Sequence, residues 1–292
     1  MYIVPMCRLA AYIGAPLLIN DVISKPRDSL IKQSLDAKES DIKMNGDGFG
    51  IGWYNNSVSQ IPAIFVSILP AWNDMNLKNI SHQITSTCFF AHVRAAGEGA
   101  VALLNCHPFH FHQFMFMHNG GIGGFKKIKL ALFNLLDEDC FLNIKGETDT
   151  ETLFALWLTY FFKAKKTMRT LNSMVTAWQQ TITTIEDLQA THQVKQTTYI
   201  NAAVTDGIHL TTVHYSSNPN DLLSLHYTAG KAFVHTKEGL HMLPSPHKNH
   251  FEAILIASER LTIYENEWQE IPAQHLIAID HNKTLQILSV KS

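Results

Sequence analysis

An antiparallel α+β protein is the fold class predicted by this sequence of 292 residues, and three observations predict it. Strand-like apolar runs come first, a helical block with its own start signal opens near residue 148, and hairpin signals fill the chain beyond residue 197. Runs of strands and runs of helices, rather than alternating β and α units, argue against a doubly wound parallel sheet.

Each element has a local reason. "CRLAAYI" and "GFGIGWY" read as early strands, with a helix between them in "PRDSLIKQSLDA". "TCFFAHVRA" and "QFMFMHNG" read as further strands. In the second, Phe114 and Phe116 alternate with Met115 and Met117, so both faces are apolar and the strand suits burial between two layers. "ETDTETLFALWLTYFFKAKK" opens with Thr148 and Glu151 at capping-box spacing, where the hydroxyl and the carboxylate satisfy unpaired amides of the first turn. "TLNSMVTAWQQTITTIEDLQ" continues with apolar residues at helical spacing. Asp206-Gly207 between two β-branched runs is a hairpin signal, because such a turn needs positive φ; Glu238-Gly239 and the region of His281 and Asn282 repeat it. No repeat, low-complexity tract or Pro/Gly/Ser-rich linker divides the chain, so one domain is expected.

Composition excludes several classes. Hydrophobic residues make up 46% and charged residues 16%, as in a globular protein. Lys plus Arg number 23 and Asp plus Glu 25, a net charge of -2, which leaves no basic surplus for nucleic acid. Cys7, Cys88, Cys106 and Cys140 lie far apart without a C-x-x-C pair, which argues for reduced thiols rather than a disulfide scaffold or zinc site. The longest apolar run, "LFALWLTYFF", is far short of the roughly 20 residues that span a bilayer. The amino end lacks a charged segment leading into an apolar one. A cytoplasmic protein with no membrane partner is expected. "NGGIGGF" lacks both the lysine of one nucleotide-binding loop and the spacing of the other.

Polar islands interrupt the apolar segments. "NGDGFG" favours positive φ and reads first as a turn. His92 and Arg94 stand two apart on one strand face, and such an arginine needs a carboxylate partner or grips a substrate carboxylate. His118, Asn119 and Gly120 end a buried strand. They form a turn, or a side-chain amide and a glycine N–H that converge as an oxyanion hole does. Asp149 sits in the first turn of a helix that Thr148 and Glu151 already cap, leaving it to the helix dipole or to an ammonium. "NCHPFHFH" sets His110 and His112 on one strand face beside Cys106 and His107, but no acidic ligand stands at metal spacing.

Taken in order, these islands resemble the class II glutamine amidotransferases of the N-terminal-nucleophile hydrolase superfamily. The likeness is closest to the small branch with enzymes of ergothioneine biosynthesis and glutathione breakdown. The carriers are "MCRLAAYIG", "PRDSLIKQS", "NGDGFGIGWY", "AHVRAA", "NCHPF", "HNG", "TDTE" and "ILIASERLT" with Trp268 and "IP" beyond it. They span nearly the whole chain. The resemblance implies a four-layer αββα sandwich of two antiparallel sheets, no cofactor and no metal. It implies Cys7 as nucleophile, with its own α-amino group as base, and Asn119 with the Gly120 N–H as oxyanion hole. Arg94 would take the substrate α-carboxylate and Asp149 the α-ammonium; Asp47, His92, His107 and His118 are assigned to the same pocket.

Residues 1–6 are then a leader that is removed or a mis-assigned start, and 7–292 the single domain. "SERL" places Arg260 where the family pattern has proline, and Asn45 stands where synthase members carry arginine. The implied reaction is hydrolysis of the γ-amide of glutamine or of a γ-glutamyl compound. The alternatives are ammonia supply to an acceptor or synthase subunit, or an inactive γ-glutamyl-binding module if the leader stays.

Overall fold

The structure is a computed structural model and describes residues 7–39, 43–97, 99–164, 170–236, 239–247 and 249–291. The expected leader, residues 1–6, lies outside the described residues, as does the Glu238 half of the second hairpin turn.

Strand β1 (Arg8–Leu18) is buried on both faces over its first half, which requires a central place in a covered sheet. It pairs antiparallel with β4 (Thr85–Val93) on one side and β12 (Ala253–Ala257) on the other. Beyond β4 lie β2 (Phe49–Asn55) and β3 (Ser59–Ser67); beyond β12 lie β9 (His226–Gly230) and β13 (Gln269–Glu270). The second sheet runs β15 (Leu285–Ser289), β14 (His275–Ile279), β8 (Leu210–Ser216), β7 (Tyr199–Thr205), β6 (Phe114–Gly121), β5 (Phe109–Phe111), again antiparallel throughout. Strands β10 (Ala232–Thr236) and β11 (Gly239–Leu243) form a separate ribbon.

Side-chain alternation builds the layers. Leu9, Ala11 and Ile13 of β1 meet Met115 and Met117 of β6 between the sheets. Ala10 and Tyr12, on the other face of β1, pack with Val22 of α1 (Asn20–Ile23), Leu30 of α2 (Leu30–Leu35) and Leu77 of α3 (Met75–Ser81). Phe114 and Phe116 pack outward with Phe154 and Trp157 of α6 (Asp149–Lys163) and Trp178 of α7 (Leu171–Thr191). Helices α4 (Phe125–Phe133) and α5 (Glu138–Leu142) complete that outer layer. The result is the αββα sandwich, and β6 is apolar on both faces for the reason its sequence suggests.

Two local readings take a different form. Thr148 caps α6, its Oγ1 accepting from Glu151 N at 3.4 Å. The Glu151 carboxylate, however, does not return to the first turn. It accepts from Lys145 N at 2.9 Å and Gly146 N at 2.8 Å, because the preceding loop folds back and brings its own amides within reach. Strand β5 stops at Phe111, and His112 takes φ 49°, so His110 and His112 do not share a strand face.

Candidate active site

Strand periodicity aims the central residues. Cys7 precedes β1 and has the parity of Leu9 and Ala11, so the alternation directs it to the space between the sheets. Its thiol lies 3.6 Å from the carbonyl oxygen of Ala95, just past the end of the neighbouring strand β4. On the facing sheet β6 ends in His118, Asn119, Gly120 and Gly121. Asn119 shares the parity of Met115 and Met117 and is therefore directed to the same inter-sheet space. It is buried, and its Oδ1 has no hydrogen-bond partner.

A cavity of about 810 Å³ opens here, and its wall includes Cys7, Arg94, His107, His118, Gly120 and Asp149. Five segments separate in sequence thus meet around one space. Asn119, His92 and Asp47 are not part of that wall; each lies next to residues that are.

The supports are specific. Asp47 N donates to Arg94 O at 3.0 Å, Arg94 N donates to Gly48 O at 2.8 Å, and Asp47 Oδ2 accepts from Ala96 N at 2.8 Å. The "NGDG" turn therefore clamps the segment that carries Arg94. The Arg94 guanidinium is buried and donates to the carbonyls of Ala100 (3.1 Å) and Gly99 (3.4 Å). Gly120 takes φ +143°, and a Cβ there would stand 2.1 Å from the Tyr199 carbonyl oxygen, so no side chain fits. Asp149 is less open than its sequence position suggests. Its Oδ2 accepts from Ile122 N at 2.7 Å, which ties the start of α6 to the glycine-rich turn after β6.

A chain of imidazoles supports the wall, with His107 and His118 part of it and His92 behind them. His107 Nδ1 and His92 Nε2 are 3.0 Å apart, and His92 Nε2 lies 3.3 Å from the His118 carbonyl oxygen. The His118 ring spans Thr150 Oγ1 and the Tyr199 carbonyl, both at 3.0 Å. Burial disfavours the charged ring in all three. His92 is pushed down to about 3, and His107 and His118 also fall below the ordinary range, Asp149 partly opposing the fall in His118. Neutral imidazoles brace the end of β6 without adding charge to the cavity. Burial also pushes the Cys7 thiol up, with Arg94 and Arg8 pulling it back.

Sequence reasoning missed Arg8 and Glu259. Arg8 Nε donates to Glu259 Oε1 at 2.7 Å, and Arg8 Nη1 donates to the Cys7 carbonyl oxygen at 2.7 Å. Both side chains are buried. A partial signal was present: Arg8 stands in the apolar strand "CRLAAYI" and Glu259 just past the apolar run "AILIA", and buried charges need partners. Also unforeseen are Lys126, Lys127 and Lys195, which line the cavity together with Tyr199 and Asp221. Among the described residues no group of three or more His, Cys, Asp or Glu side chains is arranged to hold a metal ion, and no helix is long and apolar enough to cross a membrane.

Comparison with known proteins places this geometry in context. Residues 25–292 match the family model described as glutamine amidotransferases class-II. The chain is 34% identical to the probable glutamine amidotransferase DUG3 of Saccharomyces cerevisiae, over 94% of this chain and 82% of that protein. It is 30% identical to the gamma-glutamyl-hercynylcysteine sulfoxide hydrolase of Mycolicibacterium smegmatis, over 39% of this chain and 51% of that one. A class-II domain glutamine aminotransferase structure from Silicibacter pomeroyi superposes with a TM-score of 0.65 at 24% identity, covering 98% of this chain and all 100% of the other.

Proposed function

The chain belongs to the class II glutamine amidotransferases, and from that premise we propose that it hydrolyses a γ-glutamyl amide through a thioester on Cys7. The observation that carries the reading is the meeting of Cys7, Arg94, Gly120 and Asp149 around one cavity.

The chemistry requires that the chain begin at Cys7, so that thiol and free amine belong to one residue. A free α-amino group has a reference pKa near 8 and takes the thiol proton close to neutrality. The thiolate adds to the γ-carbonyl carbon, and the C=O electron pair moves to oxygen. Asn119 and the Gly120 N–H receive that oxyanion. The α-ammonium returns its proton to the departing nitrogen, ammonia or an amine leaves, and water then cleaves the thioester to release glutamate. Arg94 holds the substrate α-carboxylate as an arginine fork does. Asp149 holds the α-ammonium through the remaining lone pairs of its carboxylate, whose Oδ2 accepts from Ile122 N at 2.7 Å and whose Oδ1 accepts from Thr150 Oγ1 at 3.4 Å. Asp47 and the three histidines hold these groups in place.

Cavity size favours a substrate larger than glutamine. About 810 Å³ lies in the upper part of the range that encloses drug-sized ligands. Similarity to a hydrolase of a larger γ-glutamyl compound supports the same choice.

Intact-mass measurement of the cellular protein, paired with release assays on glutamine and on larger γ-glutamyl amides, tests this. Mass beginning at Cys7, turnover by the isolated chain, and complete loss of turnover in Cys7→Ala with ligand binding kept are the expected results. Undiminished hydrolysis in Cys7→Ala would overturn the proposal.

A further inference from the structure

We propose that Arg8, held by Glu259, is a positioning residue that sets the orientation and basicity of the Cys7 amine; this rests on the reading of Cys7 as an amino-terminal nucleophile. Arg8 lies on the opposite face of β1 from Cys7, yet its guanidinium reaches back to the Cys7 carbonyl at 2.7 Å. Holding that oxygen fixes rotation about the Cα–C bond of residue 7. It is the last backbone bond before the thiol and amine, since β1 beyond it is anchored on both edges.

The anchor is itself braced. Glu259 Oε1 accepts from Arg8 Nε at 2.7 Å and from Glu39 N at 3.1 Å, and its Oε2 accepts from Lys38 N at 2.9 Å. The residue beside it, Ser258, accepts from Leu9 N through its hydroxyl at 3.0 Å and donates its own N–H to Leu9 O at 3.0 Å. The "ASER" segment thus grips the two residues that follow the nucleophile. Arg8 and Glu259 side chains are only 2% and 3% exposed, so solvent screens their charges weakly.

A guanidinium hydrogen-bonded to the carbonyl of residue 7 disfavours a second positive charge on the amine of that residue. Glu259 offsets part of this effect. Other charged or titratable groups around the site are Arg94 beyond β4, Asp149 at the start of α6, the Cys106 thiol, the His107 and His118 rings, and the three lysines, Tyr199 and Asp221 of the cavity wall. Arg8 donates directly to the Cys7 carbonyl, so Arg8 and Glu259 act on residue 7 through its backbone oxygen.

The test is the pH dependence of kcat/KM for γ-glutamyl hydrolysis in single variants of the mature protein. In Arg8→Gln the acid limb moves to higher pH by about one unit, and in Glu259→Gln it moves to lower pH by a similar amount. Arg8→Lys keeps the charge but loses the planar fork whose two nitrogens hold Glu259 and the Cys7 carbonyl in fixed geometry, so kcat falls about tenfold while KM stays within about threefold and the acid limb holds. A merely structural pair would lower the folded fraction without opposed shifts of the limb. If Arg8→Gln fails to fold, the Arg8→Lys split of kcat from KM and the Glu259→Gln shift decide the matter. Unchanged limbs with wild-type kcat, or shifts in the same direction, overturn the role of Arg8. Turnover that survives in Cys7→Ala instead removes the nucleophile reading itself, whatever the Arg8 variants do.

Discussion

At the scale of single residues, Arg94 and Asn119 separate binding from chemistry. Arg94 is buried on the cavity wall, and its assigned partner is a carboxylate present in substrate and transition state alike. Arg94→Ala is therefore expected to raise KM at least tenfold with a smaller change in kcat. Asn119 is assigned to an oxygen that becomes charged only during reaction, so Asn119→Ala should lower kcat by about 10²–10³ with KM nearly constant. Steady-state kinetics on one γ-glutamyl substrate checks both, and the reverse pattern would exchange their roles. The candidate positions were legible for different reasons: Arg94 and Asn119 as polar residues at the ends of apolar strands, Gly120 as the glycine beside Asn119, and Asp149 as a first-turn acid that the Thr148 cap does not use. What one sequence does not convey is occupancy: Asp149 reads as unengaged, but its oxygens already accept from Ile122 N and Thr150 Oγ1.

Among elements, the junction of β6 and α6 matters most. His118 and Gly120 from the strand, and Asp149 and Thr150 from the helix, share the cavity wall, and the His118–Thr150 contact at 3.0 Å joins the two. Glu151 holds the approach to this helix by accepting from Lys145 N and Gly146 N. Glu151→Ala leaves two amides without their acceptor and should cost about 1–3 kcal/mol of stability, with a higher KM as Asp149 loses its fixed approach. Denaturant titration and kinetics on the same variant measure both effects. Helix α6 and hairpin β7–β8 could be read in the sequence because their signals are local: a Thr cap for one, Asp206-Gly207 with φ +85° at the glycine for the other. The destination of the Glu151 carboxylate was not legible, since loop closure rather than spacing decides which amides reach it.

For the molecule as a whole, the buried histidines link stability to pH. His92, with its pKa near 3 when folded, stays neutral as pH falls below 6.5, whereas the unfolded chain takes up a proton there. Unfolded chains then bind more protons than folded ones, so stability drops as pH falls from about 6.5 toward 3. The drop approaches 1.4 kcal/mol per pH unit for each such histidine. His107 and His118 add in the same direction, because their folded values are also lowered. Urea midpoints between pH 7.5 and 5 should decline, and more shallowly in His92→Gln; equal slopes would remove His92 from this account. The antiparallel α+β class and a strand buried between two layers were legible from the hairpin signals and from Phe114 to Met117, and the two-sheet sandwich only through the family resemblance. Which buried charge Arg8 would meet, 251 positions away, was not legible, because nothing local records it.

That separation has a consequence for how the protein comes into being. Strand β1 lies between β4 and β12, and the clasp on its first residues is supplied by Ser258 and Glu259. A nascent chain on the ribosome lacks one flank of β1 until β12, some 240 residues later, has been made. Products truncated before β12 would leave the segment that carries the Cys7 thiol without its Ser258 and Glu259 clasp.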